Sequence, residues 1–171
     1  MKLLKKLGFI FAVFCLITPM GCAEELQPAP EFSLESITGS KVSLADSNGK
    51  VRIIDFWATW CPPCRKGIPE FVSLYEQYQS QGVEIIGVSL DQGGVEGVKQ
   101  FAEKMKMNYP VVMGTPELVE SFGGVKAIPT AFVVNPKGEI VKKYIGYQPK
   151  EVFETDIQEW LPAENKNLSS E

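Results

Sequence analysis

The chain has 171 residues, 44% of them hydrophobic and 22% charged, which is the size and composition of one ordinary globular domain with short appendages. All 21 acidic residues lie beyond Cys22, whereas three of the 17 basic ones precede it, so residues 22–171 carry a net charge of −7. That balance argues against a nucleic-acid partner, and the composition excludes a collagen-like, disordered or multi-span membrane chain.

Lys2, Lys5 and Lys6 followed by an apolar run over residues 7–17 read as the positive and hydrophobic parts of a secretory signal. The run is too short for an ordinary membrane-spanning helix. Export would deliver the domain to a space where disulfides persist. Residues 1–22 are therefore assigned to a signal peptide or lipoprotein leader, 23–31 to a Pro- and Glu-rich tether, 32–162 to the domain and 163–171 to a polar tail. The leader ends in Thr18-Pro19-Met20-Gly21-Cys22, which resembles a bacterial lipobox only in its Gly-Cys ending and its position. On that resemblance Cys22 is a lipidation site and the N-terminus a membrane anchor. Cleavage after Ala23 and an uncleaved anchor are the alternatives. Other readings of Cys22, where it is retained, are a stray free thiol or a disulfide partner.

Residues 32–44 alternate around a Thr38-Gly39-Ser40 turn as an antiparallel hairpin does, and Ser47-Asn48-Gly49-Lys50 forms the next turn. Residues 51–57, Val-Arg-Ile-Ile-Asp-Phe-Trp, are β-branched and aromatic, a buried strand, and a helix is expected over 62–81. Strand 83–90, helix 95–107, strand 109–113 and a short helix 116–122 continue the rhythm of βαβ units over a parallel core. Strand 130–135, a Pro136-Lys137-Gly138 turn, strand 139–145 and an amphipathic helix 149–161 close the chain, giving the sheet an antiparallel side. The fold class is α/β, a central mixed sheet flanked by helices. There is no internal repeat.

Trp60-Cys61-Pro62-Pro63-Cys64 follows the most apolar strand and opens a helix. Cys61 then sits at a helix N-terminus, where unpaired backbone N–H groups and the macrodipole favour a thiolate. Cys64 comes one turn later, close enough to close a small disulfide ring. An exposed Cys61 would attack and a shielded Cys64 would resolve. Pro62 and Pro63 fix the backbone between them at positions where their missing N–H groups would be orphaned anyway. Arg65 and Lys66 read first as solvated cations on a helix face, and only second as charges that favour the thiolate.

Residues Asp55 to Cys64 resemble the active-site segment of the thioredoxins, and Ala127-Ile128-Pro129-Thr130 resembles their second signature. The resemblance implies a thioredoxin fold, a redox-active Cys61–Cys64 disulfide, a cis Pro129 against the cysteines and Ile128 backbone groups offered to an extended substrate. Pro69 is similar to the proline that kinks the family's active-site helix. The leader, the first hairpin and the extra βα unit after Leu90 resemble the TlpA and ResA branch, membrane-tethered thioredoxins that reduce extracytoplasmic disulfides, including those of apocytochromes c. Two residues depart from that branch. Asp55 stands where many members are neutral; burial should raise its pKa and let it accept the Cys64 proton. Gly67 stands where cytochrome-dedicated members carry an acid.

These resemblances imply client proteins with disulfides, a membrane thiol donor, no cofactor and a monomer. Trp60 is assigned to the client-facing surface together with Pro62. Structural zinc normally takes four Cys or His ligands, whereas the chain has no histidine and, once Cys15 leaves with the signal, only Cys22 besides the pair. A purely structural disulfide across so small a loop would constrain little chain entropy. Phe101, Met105, Phe153, Ile157 and Trp160 fall at helical spacing and read as core, and no Gly-rich phosphate loop is present. Two other functions compete: a peroxiredoxin-like peroxide reductase, suggested by the first hairpin, and a non-catalytic peptide-binding module at the Pro129 groove.

Overall fold

The computed structural model describes residues 26–162. Strands β1 (Gln27–Pro28), β2 (Ser33–Glu35), β3 (Lys41–Ser43), β4 (Val51–Trp57), β5 (Val83–Ser89), β6 (Val111–Met113), β7 (Thr130–Val134) and β8 (Glu139–Ile145) combine with helices α1 (Pro62–Tyr78), α2 (Val95–Lys104), α3 (Pro116–Ser121) and α4 (Lys150–Trp160). The main sheet has the order β1-β8-β7-β4-β5-β6, and β2 and β3 form a separate hairpin. β4, β5 and β6 run parallel, while β7 and β8 are antiparallel to their neighbours. This is the mixed α/β sheet expected from the alternation of elements.

β4 is central and every one of its residues is buried. Period-two alternation sends its side chains to two different cores. Ile53 and Trp57 join Ile68, Phe71 and Leu74 of α1 and Phe153 and Ile157 of α4. Ile54 and Phe56 join Leu118 of α3, Phe122 and Phe132 on the other face. Asp55 shares the Ile53 and Trp57 side, so the one acid of the central strand faces the α1 layer. Arg52, fully buried on the opposite side, is tolerated because Nη1 donates to Asn48 Oδ1 at 3.0 Å and Nη2 to the Asn135 carbonyl at 2.9 Å.

Helices α1, α2 and α3 begin where expected, and α4 begins at Lys150, just after Pro149. α1 gives way at Gln79 to a 3-10 turn over Gln79–Gln81, and α2 stops at Lys104, short of residue 107. Phe153 and Ile157 are fully in the core, with Phe101, Met105 and Trp160 packed at its margin. The tether differs from expectation at its far end. Gln27 and Pro28 pair with Ile140 and Glu139, and the Ala29 N–H donates to the Gly138 carbonyl at 2.8 Å. Backbone groups on the margin of β8 need partners, and this segment supplies them. Cys22, both cleavage positions and the polar tail lie outside the described residues, and no helix among those described is long and apolar enough to cross a membrane.

Candidate active site

The C-terminal end of β4 delivers the chain to α1 through Ala58, Thr59 and Trp60. Asp91, just past β5, holds this connection: its carboxylate accepts from the Thr59 N–H at 2.9 Å, the Thr59 hydroxyl at 2.6 Å and the Ser89 hydroxyl at 2.8 Å. Cys61 is the N-cap of α1, with Pro62 and Pro63 in the first turn, and its Sγ accepts from the Cys64 N–H at 3.3 Å. The first turn therefore aims backbone N–H at the position where a Cys61 thiolate would carry charge. Cys61 and Cys64 are joined as a disulfide.

The expected contrast between an exposed Cys61 and a shielded Cys64 is not present in this oxidised state, since each is 3% exposed. Cys61 turns back over its own helix end and lies 3.7 Å from the Ile128 carbonyl oxygen. Their surroundings separate the two. Trp60, 66% exposed, and the exposed Pro62 and Pro63 flank Cys61, while Cys64 borders a cavity of about 20 Å³. Asp55, Phe71, Pro129, Tyr147 and Phe153 are among the other residues that line that cavity, which has room for one water molecule.

The Ile128–Pro129 peptide bond is cis. Pro129 is held by the Gly146 N–H donating to its carbonyl at 2.8 Å, and the Thr130 hydroxyl donates back to the Ala127 carbonyl at 2.7 Å. Cys61, Cys64, Asp55, Ile128 and Pro129 thus converge from three elements, with Trp60 and Pro62 on the rim.

Burial pushes the Asp55 carboxyl up to about 7. Its Oδ1 is buried without a hydrogen-bond partner among the described residues. Tyr109, whose ring stands over Gly87 beside Asp55, has its phenol raised by burial and by the Asp55 charge. A carboxyl with this titration, sharing a cavity with Cys64, can take a proton from that thiol near neutral pH.

Residues 26–143 match the AhpC/TSA family. The chain belongs to that family. Within it, the sequence is similar to the thiol-disulfide oxidoreductase ResA of Bacillus subtilis (strain 168), 38% identical over 118 residues, 69% of this chain and 65% of that protein. The ResA of Bacillus thuringiensis (strain Al Hakam) is 34% identical over 134 residues, 78% of this chain and 77% of that protein. The structure is similar to a thiol:disulfide interchange protein of the thioredoxin family from Chlorobium tepidum TLS, with TM-score 0.75 and 34% identity over 80% of this chain and 97% of that one. It is also similar to StoA from Bacillus subtilis, TM-score 0.65 and 32% identity over 74% and 96%. This AhpC/TSA family member has the thioredoxin fold, and its Cys61–Cys64 pair is that of a thiol-disulfide oxidoreductase.

Sequence reasoning missed Asp91, Tyr109, Glu70 and Tyr147. Asp91, Tyr109 and Tyr147 reach the site from distant elements, and Glu70, although it belongs to α1, is tied to the site only through its contact with Tyr147, so no spacing signal marks any of them. Arg65 and Lys66 are exposed as expected, yet both pack on rings: the Arg65 guanidinium lies 5.8 Å from the Phe101 centroid and Lys66 Nζ 3.9 Å from that of Tyr147.

Proposed function

We propose that this oxidoreductase works as a reductase of disulfides in exported proteins, on the outer side of the cell membrane and held there by its N-terminal leader. A thiolate at Cys61 attacks a client sulfur, the client S–S bond breaks, and the departing client thiolate takes a proton from water. Cys64 then gives its proton to Asp55 and attacks Cys61 Sγ. The mixed disulfide breaks, the second client sulfur leaves and is protonated, and two electrons have passed to the client. The Cys61–Cys64 disulfide that remains is the state seen here, and a membrane thiol donor must reduce it for another turnover.

The observation that carries this reading is the shared cavity of Cys64 and Asp55. A buried acid next to the resolving sulfur serves the step that releases a reduced client. Trp60 and Pro62 face the client, and the Ile128 backbone beside Cys61 receives its chain. Apocytochromes c are one client class implied by the ResA likeness, although Gly67 provides no acid there. A peroxide reductase of the peroxiredoxin kind would place a lone attacking cysteine after Pro and Thr, with an Arg elsewhere. Here a CxxC pair, Cys61 at the helix N-terminus and Cys64 one turn on, occupies the site, an arrangement that favours dithiol exchange with disulfides.

Two measurements test the proposal. Cys64→Ser should accumulate covalent complexes with exported proteins, released by dithiothreitol; an absence of such complexes would count against protein clients. The reduction potential of the pair should lie near about −270 mV, and a value near about −120 mV would instead make the protein an oxidant that inserts disulfides.

A further inference from the structure

The cavity shared by Cys64 and Asp55 is closed on one side by Tyr147, a residue of the connection between β8 and α4. Three contacts hold this ring against α1. Its hydroxyl donates to Glu70 Oε1. Lys66 Nζ stands 3.9 Å from the ring centroid, a cation–π distance. Gly67 completes the seat: a Cβ built there would lie 3.8 Å from Tyr147 Cδ2, at van der Waals contact, so the ring lies close over the helix at this position. The remaining Glu70 oxygen, Oε2, is buried without a hydrogen-bond partner among the described residues, so the glutamate is committed to this contact.

Glu70, Lys66 and Gly67 belong to α1, the helix that carries both cysteines, whereas Tyr147 follows Gly146, which has a positive φ of 87° and anchors the Pro129 carbonyl. The same short connection therefore fixes the cis-proline loop on one side of the disulfide and covers the resolving sulfur on the other. We propose that Tyr147, latched to α1 by Glu70 and Lys66, is a positioning residue of the redox site: it seals the Cys64 and Asp55 cavity and keeps proton transfer between them out of bulk water. This rests on the exchange reading given above and adds to it a residue that acts through the surroundings of Cys64 and Asp55.

The ionisable groups that face Asp55 are Cys64 from α1, Tyr109 ahead of β6 and Tyr147 after β8, with Lys66 and Glu70 beyond the Tyr147 ring; α4 presents the uncharged Phe153. Removing the Tyr147 ring would admit water to the carboxyl and the sulfur together. The desolvation that raises Asp55 would then relax.

The test uses the reduced full-length protein with Cys61→Ser, so that Cys64 is free to react, and follows iodoacetamide modification of the Cys64 peptide by mass spectrometry across pH 4 to 10. Tyr147→Ala is expected to raise the Cys64 rate about tenfold or more and to move the inflection assigned to Asp55 to lower pH. Tyr147→Phe and Glu70→Ala, which remove only the latch, should move both readouts in the same direction by a smaller amount. Glu70→Gln keeps an acceptor for the tyrosine hydroxyl and should restore the parent values. Circular dichroism identifies a variant that fails to fold, and Tyr147→Phe, losing one oxygen, keeps the question open to decision if Tyr147→Ala does so. Unchanged rate and unchanged pH profile in folded Tyr147 and Glu70 variants would overturn the proposal. Because alkylation needs no client, these outcomes are independent of whether the wild type reduces protein disulfides.

Discussion

Replacing Asp55 with asparagine should stabilise the oxidised protein in a strongly pH-dependent way. An ordinary aspartate titrates near 3.8, and burial moves Asp55 to about 7. Below about pH 4 the carboxyl is protonated in folded and unfolded chains alike and contributes nothing to the difference. As pH rises from there to about 7, the unfolded chain ionises while folded Asp55 stays protonated, so stability falls. Above about 7 both ionise and the loss is constant. About three pH units at about 1.4 kcal/mol each put that loss on the order of 4 kcal/mol. The asparagine side chain is uncharged throughout and escapes it. Urea unfolding of both proteins, followed by tryptophan fluorescence, gives the stability difference at pH 4 and pH 8. Taking the difference cancels other titrating groups such as Asp156, whose pKa burial also raises. The advantage of the variant should grow by about 4 kcal/mol between the two pH values. Growth of less than about 1 kcal/mol would refute the assignment of Asp55 as a desolvated acid.

The same substitution should slow catalysis while it stabilises the fold. Release of a chromogenic thiol from a Cys61 mixed disulfide, followed by stopped flow, should lose about 100-fold in Asp55→Asn near pH 7. The wild-type rise in that rate through about pH 7 should be absent from the variant. Gly87→Ala should destabilise by about 1–3 kcal/mol in a denaturant titration, because the added Cβ would lie 3.0 Å from Trp57 Nε1 and 3.3 Å from Tyr109 Cε2, both buried. Unchanged stability would mean that the indole and phenol shift freely.

Much of the redox centre was legible in one dimension because its chemistry is local. A seven-residue β-branched and aromatic run reads as a buried strand, and prolines straight after Cys61 open a helix, so strand, cysteine and helix N-terminus are consecutive in sequence and in space. Asp55 could be read as buried through its match to the buried acid of ordinary thioredoxins, and the structure sets it on the Ile53 and Trp57 face of that strand.

What surrounds those residues could not be read in the same way. Asp91 lies 32 positions from Thr59 and Tyr147 lies 77 from Glu70, and neither pairing has a local pattern to announce it. The docking of Gln27 and Pro28 depends on a strand edge that exists only once β7 and β8 have paired. Even the environments of the two cysteines were decided by the tertiary structure: spacing put them one turn apart, but the packing of the Pro129 loop, Tyr147 and Phe153 left one beside an exposed tryptophan and the other beside a buried acid. Local sequence determined strand, helix and sulfur positions through propensity and periodicity. Desolvation and access, which set proton affinity and exposure, are properties of the assembled surfaces and were decided only when distant segments closed over the site.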